Sequence, residues 1–549
     1  MQGCQSRNGN AGRRVMRVPL SPILLLFLLP VFLAGCLPGY RSGEDDGDSG
    51  SFSSDTKNAP ALNRSYKSSF LSLQMPSFGG QRVQGQLMPD SGPGLLSMFS
   101  TVETRKPAQA NTPAGYAAQP DGAPGFEPAV LPAVQALQKF YAALASLASG
   151  RRQQPVTIVH FGDDHIVDDR FAGALREHLT GRFGSAGRGL MMPGLFPVRG
   201  MKVDRGGQWT LDSAAAGAPG PFGITGVRMR TASSDAWLRF TSAQTSFEWL
   251  DVTFMTGPGY GTAVVSVDGG SRLVPTSTPS ISETSIRIAA KSREISIRPR
   301  GDGEITVLSV ATGTNAPGIV YSNLGLPGAT AWTLGKWNAD FAANDLRKLN
   351  PDLILLEYGT KEGFEDSLDV RQYEMRLRLV IDQLKEWAPQ SSILIIGPPD
   401  AARLPAFAGS AGAQACRALN AQEISIYDRM MERSDERLAR WHAPPRLDAV
   451  RLALRRAAAA SGAFYWDWAK YMGGPCSIHA WTSSRPPLAA PDHMTLTEAG
   501  DERSARALFA ELIAGHDTYQ RTVQAKAQAI VASAETRLVP VKVIRKKIH

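Results

Sequence analysis

Residues Val156–Val159 form an unbroken apolar, β-branched run that passes through an acidic loop into a stretch with Phe171, Leu175, Leu179 and Phe183 on one side, closed by Gly184. A short apolar run of this kind suits a strand covered on both faces, and a strand followed by an amphipathic helix begins an α/β unit. Short strands of similar character fall at Ile319–Tyr321, Leu353–Leu356, Ile393–Ile396 and Phe464–Trp466, with helical stretches between them. Right-handed βαβ connections would gather all of them into one parallel sheet, with helices on both faces and functional loops at the strands' C-terminal ends. Upstream, Leu131, Val134, Leu137, Phe140, Tyr141, Leu144 and Leu147 recur at helical spacing until Ser149-Gly150, so folded structure is expected from about Pro128.

Between residues 200 and 318 the pattern changes. Trp237–Phe240, Phe247–Phe254, Ala263–Val267, Ser285–Ile288, Glu294–Ile297 and Glu304–Val310 read as short strands, separated by turns such as Asp268-Gly269-Gly270 and Gly301-Asp302-Gly303. That spacing predicts an antiparallel β-sandwich inserted into the α/β domain, which would occupy 128–199 and 319–515. Its aromatics Trp237, Trp249, Phe254 and Tyr260 could offer stacking faces to sugar, although such residues in a sandwich are more often core.

The N-terminus reads as an address. Arg7, Arg13, Arg14 and Arg17 precede an apolar run from about Ile23 to Phe32, too short for a bilayer span, and Leu33-Ala34-Gly35-Cys36 follows. The tetrapeptide resembles a bacterial lipobox, which implies removal of residues 1–35, lipid attachment at Cys36 and membrane anchoring in the bacterial envelope. Leu37 after the cysteine favours the outer membrane, facing the periplasm. The formal charge of +9 loses four units with the leader, which leaves a mild excess. Part of it sits in the last residues, at Lys542, Arg545, Lys546 and Lys547, in a tail from 516 to 549 that is expected to be helical up to Arg537 and basic at its end. No nucleic-acid module and no cofactor motif are found. Residues 36–127 are rich in Gly, Ser, Pro, Asn, Gln and Ala; a stretch so poor in apolar surface cannot offset chain entropy and reads as a tether. Of the four cysteines, Cys416 and Cys476 remain as an even pair in an oxidising compartment, and a disulfide between them is expected, with two unpaired thiols as the other reading.

Four segments carry the chemistry. The first strand runs into His160-Phe161-Gly162-Asp163-Asp164-His165. Asn323-Leu324-Gly325-Leu326-Pro327-Gly328-Ala329-Thr330 follows the second, Glu357-Tyr358-Gly359-Thr360-Lys361-Glu362 the third, and Asp492-His493-Met494-Thr495-Leu496-Thr497 comes last. In order and strand context they resemble the four blocks of the SGNH (GDSL-type) hydrolases, most closely the multidomain bacterial members that remove or transfer O-acetyl groups on envelope polysaccharide or peptidoglycan. The resemblance covers about 129–515. It implies a three-layer α/β/α, flavodoxin-like parallel sheet carrying the inserted sandwich.

Three working positions hold other residues. Asp164 stands where the family has its serine, Lys361 where it has an asparagine, and Thr495 where it has a histidine. Gly328 matches the oxyanion-hole glycine and Asp492 the aspartate that orients the histidine. Thr495 has no group titrating near neutral pH and cannot serve as a general base. Asp164 places a negative charge where an alkoxide would form. Together the replacements argue against acyl-serine chemistry. Asp164 and Lys361, facing one pocket, are expected to form an ion pair that closes it. The resulting expectation is a catalytically degenerate esterase that binds a cell-envelope glycan or a partner protein, such as an active paralogous esterase. The alternatives are an active O-acetylesterase or acyltransferase rebuilt around Asp164, with His165 or His493 as base, and a scaffold without a ligand. Metal binding by Asp163, Asp164, Asp168, Asp169 and the histidines is the weakest reading, since acidic loops are more often solvated or capping.

Overall fold

The computed structural model describes residues 130–537 apart from 195, 197 and 244. The leader, Cys36, the tether up to 127 and the basic residues from Lys542 onward lie outside the described residues. Among the described residues no helix is long and apolar enough to cross a membrane.

Five parallel strands form the central sheet: β1 Val156–Gly162, β2 Ile319–Gly325, β3 Leu353–Glu357, β4 Ser392–Ile396 and β5 Phe464–Trp466, in the order β2-β1-β3-β4-β5. Order 2-1-3-4-5 is the flavodoxin-like arrangement, and it opens a crevice at the carboxyl ends of β1 and its neighbours. Alternation assigns the faces. Val159, Phe161, Ile354, Leu356, Ile393 and Ile395 pack against the helices Ala339–Leu349, Val370–Trp387 and Pro445–Ser461. Ile158, Leu353, Leu355, Leu394 and Ile396 face the helices Gln138–Ala148, Phe171–Phe183 and Glu498–Arg537. Helix ends are set locally: Asn338 accepts the Phe341 N–H, and Asp369 accepts those of Arg371 and Gln372, at distances of 2.9–3.1 Å.

The inserted sandwich pairs two antiparallel sheets. One orders the strands Ser282–Ser292, Phe247–Thr256, Ile305–Gly313, Val227–Thr231 and Thr210–Ser213; the other orders Met201–Gly206, Trp237–Ser242, Glu294–Pro299, Thr262–Val267 and Gly270–Pro275. Leu250, Val252, Phe254, Val307 and Val310 from the first meet Leu238, Phe240, Val265, Ile295 and Ile297 from the second. Gly189–Met191, from before residue 200, also joins the first sheet through Ile305–Gly313. At the chain's other end no break falls near 515: a single helix spans Glu498–Arg537.

The sandwich meets the α/β body where Met255 and Leu308 pack on Phe341. Beside that contact lies Asp345, which accepts the Ile224 N–H at 3.2 Å. Burial, together with the nearby Glu283 and Asp251, pushes its pKa up to about 7 against the pull of the Ile224 N–H and of Lys348, which lies 3.9 Å from Glu283. An acid whose folded pKa exceeds its unfolded value favours folding below that window and costs stability as pH rises through it. Asp345→Asn is therefore expected to stabilise the protein by about 4 kcal/mol at pH 8 and to change little at pH 4. Denaturant unfolding at the two pH values checks this.

Candidate functional site

The crevice at the carboxyl end of β1 brings the first, second and third sequence blocks together. Asp163 directly follows β1, is buried, and caps the short helix Asp164–Val167 by accepting the His165 N–H at 3.1 Å. Asp164 is the first residue of that helix. It is exposed at the mouth, yet its carboxylate tip turns in against the loop after β2, where both oxygens lie 3.2 Å from the Gly328 nitrogen. Burial of that tip raises its pKa, while the Gly328 N–H and the charge of Lys361 pull it back.

Lys361 donates to the Gly328 carbonyl at 2.9 Å. The expected Asp164–Lys361 ion pair does not form: no contact within 4.0 Å joins the two groups. The reason is geometric. The carboxylate takes the Gly328 N–H and the ammonium takes the C=O of the same residue, so each charge is spent on the loop that separates them. Gly328 has φ of +71°, a left-handed conformation that strains any residue with a Cβ. Gly359, at the head of the third block, has φ of +121°, and a Cβ there would press within 3.0–3.2 Å of Val450, Leu454 and Pro398.

The last block is bonded largely within itself, and Asp492 lies close enough for its charge to act on His165. Asp492 accepts the N–H groups of Met494 and Thr495 at 2.9 Å each and the Thr495 hydroxyl at 2.7 Å. Its carboxylate thus holds the side chain three residues on, and that side chain cannot carry a proton away. His493 is turned elsewhere: Nδ1 donates to the Pro491 carbonyl at 2.9 Å, Nε2 lies 2.8 Å from His479, and the ring stacks on Trp441 at 3.7 Å. His165 reaches the Thr360 hydroxyl through Nε2 at 3.2 Å; burial pushes its pKa down to about 4, although the charge of Asp492 opposes this. Its ring is therefore neutral at pH 7.

Below the crevice, burial also shifts His160, Asp163 and Glu357 toward their neutral forms. His160 hydrogen-bonds the Tyr321 hydroxyl at 2.8 Å, and burial drives its pKa down to about 3. Burial holds Asp163 and Glu357 well above the usual carboxylate range, each reinforced by neighbouring acids. Three supporting residues hold the blocks together. Asp169, completely buried, collects Arg176, Arg188, the Arg199 N–H and Asn323. Asn323 also donates to the Ile166 carbonyl at 2.7 Å, tying the second block to the first. Glu362 accepts the Ala331 N–H at 2.9 Å, tying the third block to the second. Asp168 pairs with Arg170. The acids considered for a metal are thus caps, ion-pair members or the Gly328 contact.

Cys416 and Cys476 form a disulfide, with Cα atoms 5.8 Å apart. Of the sandwich aromatics, Phe254 is core. Trp237 and Trp249 are half-buried and carry the guanidinium groups of Arg239 at 4.9 Å and Arg287 at 3.9 Å, and Tyr260 packs at the Met255–Phe341 seam. None of the four is a bare platform.

No protein-family model matches the chain, and no curated protein matches it. Among solved structures, that of a peptidoglycan O-acetylesterase is similar over 69% of this chain and 96% of its own, with a TM-score of 0.55 and 24% identity. A family two carbohydrate esterase from Cellvibrio japonicus covers 58% of this chain and 99% of its own, at 12% identity and a TM-score of 0.23. An acetyl xylan esterase covers 36% and 82%, at 12% identity and a TM-score of 0.23. The first likeness shows the fold alone: a parallel α/β core with inserted antiparallel sheets, shared with the peptidoglycan O-acetylesterase.

Proposed function

We propose that the protein is a lipid-anchored component of the bacterial envelope whose esterase-type body has lost serine chemistry and binds a cell-envelope glycan or a partner protein. One observation carries this reading: the Gly328 N–H, the donor the fold would offer to a developing oxyanion, already holds the carboxylate of Asp164. Such a donor is worth about 100- to 1,000-fold in rate when it is free to act. Here it is occupied by a negative charge from the chain itself, the base position holds a threonine, and the neighbouring imidazoles make other bonds. The likeness to a peptidoglycan O-acetylesterase makes peptidoglycan the first glycan to test.

The purified full-length protein is expected to leave p-nitrophenyl acetate and O-acetylated peptidoglycan unhydrolysed above background, while sedimenting with the insoluble glycan or cross-linking to a paralogous esterase. The rebuilt-enzyme alternative rests on His165, the neutral imidazole beside Asp164 that feels the charge of Asp492. Turnover that disappears in both Asp164→Ala and His165→Ala would establish that alternative and refute the inert reading.

A further inference from the structure

The loop that presents Asp492 and Thr495 is anchored by a device that neither the fold nor the proposed function requires. His493 sits in it with φ of +57°, a left-handed conformation for a non-glycine residue, and is 5% exposed. Its backbone carbonyl accepts the Ala402 N–H at 2.9 Å, and its ring lies between Trp441, at 3.7 Å and nearly parallel, and His479, with centroids 5.0 Å apart. His479 belongs to the helix Ser477–Thr482, whose first turn is fixed by Asp400 accepting the Ile478 N–H at 3.0 Å. The disulfide links Cys476, at the head of that helix, to Cys416, which bridges to Trp441. Both walls around His493 are thus fastened together.

The hydrogen bonds set the tautomers. Because the Pro491 carbonyl can only accept, His493 Nδ1 carries a proton, and Nε2 of the neutral ring is then a lone pair. The 2.8 Å contact to His479 therefore requires His479 Nδ1–H as donor. A proton placed on the free nitrogen of the half-exposed His479 would leave that bond in place and make it charge-assisted and stronger. A second must go to His493 Nε2, which would set two N–H donors face to face.

We infer that His479 and His493 form a proton-operated latch on the Asp492–Thr495 loop, one that tightens with one added proton and opens with the second. The surroundings supply little to relieve the doubly charged state. Among the described residues Asp492 is the carboxylate whose charge favours a proton on His493, and burial together with a charged His479 disfavours it. Asp400 is committed to the helix and Arg403 to Asp366 at 2.6 Å. On the Trp441 strip, Arg440 is turned onto Glu423, and His442 is held by the Tyr427 hydroxyl at 3.0 Å. The inference rests on the loop belonging to the candidate site, and it is independent of whether that site turns over a substrate.

The test is a pH titration of the full-length protein labelled with 15N-histidine, with hydrogen exchange of residues 488–497 followed in parallel. At pH 7.5 His493 is expected as the Nδ1–H tautomer. One imidazole of the pair should then protonate without loss of exchange protection. The second should protonate at distinctly lower pH, and protection should fall about tenfold or more with it. In His479→Ala, His493 should titrate in a single step and the loop should exchange faster at neutral pH. Independent titration of both rings near the ordinary value of about 6.5 would overturn the latch. So would the opposite His493 tautomer, or protection that is indifferent to the second proton. The wild-type titration decides the matter even if the variant misfolds.

Discussion

The triple variant Asp164→Ser, Lys361→Asn, Thr495→His is expected to hydrolyse p-nitrophenyl acetate about 100-fold or more faster than the unaltered chain, the scale set by restoring one oxyanion donor alone. Three local gains combine. Serine at 164 removes the carboxylate from the Gly328 N–H and supplies a nucleophile. Asparagine at 361 replaces a mobile ammonium, now spent on the Gly328 carbonyl, with a neutral amide donor. Histidine at 495 enters a position whose orienting partner is already in place, because Asp492 Oδ2 accepts from the side chain there at 2.7 Å. The single changes should stay near background, since nucleophile, base and donor act as a unit and their effects do not add. A well-folded triple variant without turnover would mean that the frame no longer brings positions 164 and 495 within reach of each other. Thermal unfolding measured beside the assay separates that outcome from simple misfolding.

Much of the architecture was legible because it follows from periodicity. The helix Phe171–Phe183 and the strand Phe464–Trp466 have the limits that their apolar spacing implies. The strand beginning at Val156 runs on to Gly162, past the place where the apolar run stops, because His160 is buried there by its bond to Tyr321. The helical run from Leu131 to Leu147 breaks at Leu137 into two helices. Strands such as Met201–Gly206 and Gly270–Pro275 went unread; both lie at the edge of their sheet, and their polar residues mask the alternation. The pairing of Cys416 with Cys476 was reachable from count and compartment alone. At the site, residue types and block order identified the positions, and the distances reassigned the bonds. An aspartate and a lysine in one pocket suggest an ion pair; that both would choose the two ends of one peptide residue depends on where Gly328 turns, which no spacing reveals. Asp169 looked like one more loop acid among Asp163, Asp164 and Asp168, since its partners come from positions as distant as Asn323.

That distance makes Asp169→Ala the most destabilising single change expected in the α/β body. The carboxylate takes both ends of the Arg176 guanidinium at 2.9 and 2.8 Å, Arg188 at 3.2 Å, the Arg199 N–H at 2.8 Å and the Asn323 amide at 2.9 Å. Removing it strands two buried guanidinium groups, and breaking a buried pair in this way costs about 3–5 kcal/mol. At roughly 2–4 °C per kcal/mol for a large domain, the melting temperature should fall by roughly 6–20 °C. Asp169→Asn should recover little, because an amide NH2 in that place would face the guanidinium donors. The pH dependence gives a second reading. Burial alone would raise the Asp169 pKa, but Arg188, Arg176 and the Arg199 N–H outweigh it and hold the carboxyl below its usual range. A depressed acid contributes its stability above the unfolded pKa, about 3.9, and loses it as pH falls through the folded value. The gap between the unaltered chain and Asp169→Ala should therefore persist from pH 8 down to pH 5 and narrow only below about pH 4. A gap that is small at pH 7, or that closes well above pH 4, would show that the two arginines find other partners and that the hub does not hold the loop carrying Asp164.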